Sequence, residues 1–177
     1  MTTIKFPAKA LALRLELHLF HSRQLVRPQP QAPGLDFPNW AHCLISLEPY
    51  GDDPRVWPLL LLLAGELDAT EAHFDRLEAR FNGWAEQWGE REPLSSATAR
   101  PFLFGQRQEP IRRWLRLVGR YDWLQRRAWP YLQSGELSPP HFGHYQNLRY
   151  TLNAVLWRGV QLGFPGLLRR LWAENRP

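Results

Sequence analysis

Between Ala10 and Phe20 the sequence reads ALALRLELHLF, with leucine at 11, 13, 15, 17 and 19. A period of two is that of a strand with one apolar face, whereas helical spacing would scatter these leucines around the axis. The opposite face carries Ala12, Arg14, Glu16, His18 and Phe20. No later segment reads as convincingly as a strand, and this constrains the fold more than any other feature. The edge of a lone strand is a row of backbone donors and acceptors that must find partners. Two solutions are open. Phe102–Phe104 pairs with the strand inside the chain, or the strand pairs with its own copy in a dimer, as strand–helix–helix units do.

The rest of the chain reads as helix. Arg27 to Gly34 (RPQPQAPG) is a loop. Asp36 caps a short helix that carries Pro38 in its first turn and runs to about Glu48. Asp53 followed by Pro54 starts a long helix to about Trp88, with Pro58 kinking or delaying its first turn. Leu60, Leu63, Leu67, Phe74, Leu77, Phe81 and Trp84 form its apolar stripe, and Glu66, Asp68, Glu71, Asp75 and Glu78 its exposed face. Pro93 to Gln108 is a linker. Helices follow from about Pro110 to Leu132, from Ser138 to Leu162 and from Pro165 to Glu174. The expected class is mainly α: an N-terminal strand and helices, a strand–helix–helix region over 1–92, with a basic helical extension over 93–177 packed as one unit with it.

A chain of 177 residues with 44% hydrophobic side chains can bury a core. Its longest apolar run, Leu59 to Ala64, is too short to span a bilayer, and Met1 to Ala10 lacks the apolar centre of an export signal. The single cysteine, Cys43, excludes an internal disulfide and a cysteine-based zinc site, so a cytoplasmic location without a membrane is expected. On a helix beside Leu44, Cys43 reads as a buried inert thiol. The pairs His18/His21 and His141/His144 lack a carboxylate at ligand spacing. No phosphate loop, nucleophile elbow or paired catalytic carboxylates stand in a recognisable frame, so neither catalysis nor a cofactor or metal is expected.

Charge is where function shows. The net of +5 is split into blocks of +4 over 1–27, −8 over 28–92 and +9 over 93–177. Twenty of the 22 basic residues are arginine, the better residue for forked contacts to phosphate. With Arg112 as zero, Arg116 falls at about 40°, Arg127 at about 60°, Arg120 at about 80°, Arg113 at about 100° and Arg126 at about −40° around the third long helix. Trp123 lies at about 20°, in their midst. Such a stripe is either a solvated face, a surface that tracks phosphates, or a match for the acidic helix. On the strand, Arg14, Glu16 and His18 are either solvent-facing or base-reading, since a two-stranded ribbon fits the major groove.

The strand LALRLELHLFHSRQLV, then DDPRVWPLLLLL, RPFLFG, GRYDWLQRRAW and SGELSPPHF, in that order, resemble the AcaB-like family of regulators and related proteins of integrating conjugative elements and conjugative plasmids. The likeness covers roughly residues 10–160. It implies a ribbon-helix-helix homodimer that regulates transcription, with Arg14, Glu16 and His18 facing the bases. Arg55, in the first turn after Asp53, would face the backbone at a helix N-terminus. On this reading double-stranded DNA is the partner and the arginines of the third long helix grip phosphate. The alternatives are a helical subunit that binds RNA or single-stranded DNA, and a protein–protein adaptor.

Overall fold

The computed structural model describes residues 13–27, 36–95, 100–104 and 108–175. The chain is mainly helical with a short N-terminal strand, β1 (Leu13–Leu17), followed by α1 (Phe20–Leu25), α2 (Phe37–Leu47) and α3 (Trp57–Trp88). A second short strand, β2 (Arg100–Phe104), precedes α4 (Glu109–Gln133), α5 (Pro139–Gln161) and α6 (Phe164–Glu174). The Pro-rich loop before α2 lies largely outside the described residues.

β1 pairs with β2, antiparallel, with Leu13 opposite Phe104 and Leu17 opposite Arg100. The strand therefore finds its partner within the chain, and that pairing is not the one between copies that makes a ribbon-helix-helix dimer. Leu17 is fully buried and Glu16 exposed, which matches the alternation in the sequence. The strand ends sooner than the pattern suggests. It stops at Leu17, and Phe20 opens α1, a six-residue helix with no strong signal of its own.

Asp36 caps α2, its side chain accepting from the Asn39 N–H at 2.9 Å. α3 begins at Trp57, not at Asp53. Asp53 instead closes a turn in which its carbonyl accepts from Val56 and Trp57 N–H, and Pro58 enters at the tolerated first turn. α3, α4 and α5 form the main bundle. Polar contacts between α3 and α4 join residues 42 or 45 apart along the whole length, so these two helices run parallel. The connection through β2 makes this possible. α5 returns antiparallel, with Arg158 on Glu66 at one end and His141 against Trp84 at the other.

The larger core draws on both sides of residue 92. Phe37 stacks on Trp114 at 4.8 Å, and the Trp114 indole N–H donates to the Leu152 carbonyl at 3.0 Å. A second cluster holds Phe81, Tyr131, Phe142 and Tyr145. α2 meets α5 where Gly159 lies under Trp40: a methyl there would come within 2.7 Å of the indole nitrogen. Among the described residues no helix is long and apolar enough to cross a membrane.

Candidate nucleic-acid interface

The arginine stripe of α4 divides into two halves with different fates. Arg113 and Arg120 are one heptad apart and point at α3. Arg113 donates to Glu71 at 2.7 and 2.9 Å and also reaches Asp68. Arg120 repeats the pattern on Glu78 at 2.7 and 2.9 Å and on Asp75 at 2.6 Å. Arg127 occupies the third rung, where α3 offers Asn82 instead of a carboxylate, at 2.9 Å. Matched seven-residue repeats on two helices keep one seam in register, as in a coiled coil. The hydrogen bonds to Glu71 and Glu78 raise the pKa of Arg113 and Arg120 above the ordinary guanidinium value. The charge of these two residues is thus met inside the chain. Of the acidic residues expected on the exposed face of α3, Asp68 and Asp75 are exposed while also reaching α4; Glu71 and Glu78 lie half-buried against α4, and Glu66 half-buried beside Arg158 at 3.1 Å.

The other half of the stripe does not reach α3: Arg116 and Trp123 are exposed, and Arg112 and Arg126 half-buried. Arg112, Arg116, Trp123 and Arg126 fall within about 40° of one another's centre line and span about 21 Å of helix. Trp123 is 45% exposed. Among the described residues Arg116 meets Glu109 alone, at 3.1 Å, and both side chains are at least half exposed, so the pair contributes little. The buried Nε of Arg112 has no hydrogen-bond partner among the described residues. Arg126 lies 5.6 Å over the Trp123 ring, and Arg127 5.9 Å from it. Pro130 holds this edge in shape. Lacking an N–H, it leaves the Arg126 carbonyl free of its helical donor, and the Leu94 N–H takes the place at 3.0 Å. Arg126 Nε returns a bond to the Leu94 carbonyl at 2.6 Å.

The strand residues are placed unevenly. Glu16 is exposed, and Arg14 lies opposite Leu103 in the ladder, its side chain outside the described residues. His18 is not an outward strand residue. It follows the end of β1, half-buried, with a buried Nδ1 that has no hydrogen-bond partner among the described residues. Its N–H and that of Leu19 donate to Asp122 Oδ1 at 3.1 and 2.8 Å, while both carbonyls accept from the Arg23 guanidinium at 3.1 and 3.3 Å. Asp122 is 2% exposed. With Glu109 it is one of two carboxylates on the basic α4, and it lies on the flank away from the stripe.

Arg55 does not stand at a helix N-terminus. It pairs with Asp53 at 2.9 Å and with Glu174 of α6 at 2.7 Å, and the hydrogen bonds from the Arg55 side chain and backbone N–H hold the Asp53 carboxyl down at about 2. Cys43 is half-buried, and burial pushes its thiol up. His141 accepts or donates a bond with Ser138 Oγ at 2.8 Å. Among the described residues no three His, Cys, Asp or Glu side chains gather as a metal site would require. No family model, curated protein or solved structure matches the chain.

Proposed function

We propose that this protein binds nucleic acid through the open edge of α4 and acts as a DNA-binding regulator of a conjugative or integrative mobile element. The observation that carries the reading is the surviving half of the stripe. Arg112, Arg116 and Arg126 surround a half-exposed indole, and none of them has a strong ion pair among the described residues. Three cations over about 21 Å of helix suit a run of phosphates. The β1–β2 pair, packed beside α4, supplies within one chain the two-stranded ribbon that a major groove accepts. The resemblance to AcaB-like regulators points the same way. A second reading, a subunit that holds single-stranded DNA or RNA, is favoured by Trp123 alone, since an exposed indole among arginines is a stacking platform for unpaired bases.

Fluorescence anisotropy at two salt concentrations tests both, using a duplex from the protein's own upstream region, a random duplex and a single strand. The regulator prefers the upstream duplex at both salts. Combined Arg112→Ala, Arg116→Ala and Arg126→Ala substitutions weaken every sequence and flatten the salt dependence by a slope of about 3. Preference for the single strand, with a loss of about 1–3 kcal/mol on Trp123→Ala, favours the second reading. No binding at physiological salt overturns both.

A further inference from the structure

We infer that the outer face of α3 is a self-association surface on which a second copy of this chain packs antiparallel. The face turned away from α4 and α5 carries Leu62, Gly65, Ala69, Ala72, Ala79 and Gly83, with Arg76 between them, and every one of these is exposed. Their spacing alternates three and four residues without a break, which is the seam of a coiled coil. Trp57 and Leu61, 57% and 53% exposed, flank its start. Two glycines inside a 32-residue helix cost about 1 kcal/mol each relative to alanine. Among the described residues, nothing beyond the helix's own backbone lies within 4 Å of a Cβ built at Gly65 or Gly83, so internal packing does not account for them. Close approach of another backbone does.

The charges select a second copy, and its direction. When two α3 helices run antiparallel with one seam meeting the other, Gly65 faces the partner's Gly83 and Ala69 faces the partner's Ala79. Leu62 meets the aliphatic stem of the partner's Glu86. That same register sets Glu66 across from the partner's Arg80 on one flank, twice by symmetry. On the other flank it brings Arg76 beside the partner's Asp75. Arg76 has no ion pair among the described residues, and the Asp75 side chain is 68% exposed despite its bond to Arg120. A parallel pairing would instead stack Arg76 on Arg76 and Gly65 on Gly65. The two-fold axis passes near residue 74, and the interface is isologous.

Sedimentation velocity on the full chain, with engineered crosslinking, tests this. The wild type is dimeric at micromolar concentration, and Ala69→Arg raises the dissociation constant at least tenfold while the circular dichroism of the helices is unchanged. In a Cys43→Ser background, an equal mixture of Gly65→Cys and Gly83→Cys chains forms a disulfide-linked dimer between unlike chains, and neither variant alone does. Glu66→Arg and Arg80→Glu each weaken association, and the double variant recovers it. A monomeric wild type at 100 times that concentration, an Ala69→Arg protein that stays dimeric, or self-crosslinking of Gly65→Cys alone overturns the assignment.

Discussion

Arg113 and Arg120 differ from Arg112 and Arg116 by roughly a quarter turn of one helix, and that quarter turn decides what each guanidinium does. The first two hold α3; of the others, Arg116 is exposed and Arg112 half-buried. Arg113→Ala or Arg120→Ala should lower stability in urea by about 1 kcal/mol each, since the arginine side chains are 18% and 29% exposed and their carboxylate partners are partly solvated. The salt slope of nucleic-acid binding should not change with either. The sequence showed the stripe and its angles, but not where α3 sits around α4, because that azimuth is a tertiary property. The signal was nevertheless present as two matched heptads of opposite charge, Arg113/Arg120 against Glu71/Glu78. Gly159 is another residue whose role only packing reveals. Gly159→Ala pushes a methyl into the Trp40 ring and should cost about 1–3 kcal/mol, read as a lowered melting temperature.

At the scale of elements, the junction of β1 and α1 depends on a residue more than a hundred positions away. Asp122 accepts from two backbone N–H groups that no local structure satisfies, and Arg23 takes the two carbonyls on the other side. Asp122→Ala leaves both donors buried and should destabilise the protein by about 2–3 kcal/mol, with faster amide exchange concentrated in residues 18–25. Asp122→Asn keeps one acceptor and should fall between. The long helices, their proline starts and the cap at Asp36 were legible from sequence, because capping and apolar spacing act locally. The start of α3 was not, because the Asp53 carbonyl and side chain close a turn that resembles a helix start. The short α1 was missed for a related reason: its junction is held by α4 rather than by its own sequence.

For the whole molecule, acidity gives a test of how the C-terminus is fastened. Arg55 bridges Asp53 and Glu174, and so ties α6 to the turn before α3. Asp53 sits at about 2, below its ordinary value of 3.8, and Glu174 is also lowered. A depressed carboxyl contributes stability that is complete above its ordinary value and lost as pH falls through the folded one. Amide exchange in α6 should therefore be flat from pH 7 to 5, after correction for intrinsic rates, and should quicken as pH drops toward about 2. Arg55→Ala should remove that acid response. The parallel run of α3 and α4 bears on the order in which the chain assembles. α4 and α5 are joined by residues 134–138 alone and can meet early, whereas each rung to α3 must wait for a loop of 42 or 45 residues to close. The ladder is then a late event, absent from the folding transition state. Losing a rung should speed unfolding while leaving the folding rate as it was, so these ion pairs govern how long the native state lasts rather than how fast it is reached.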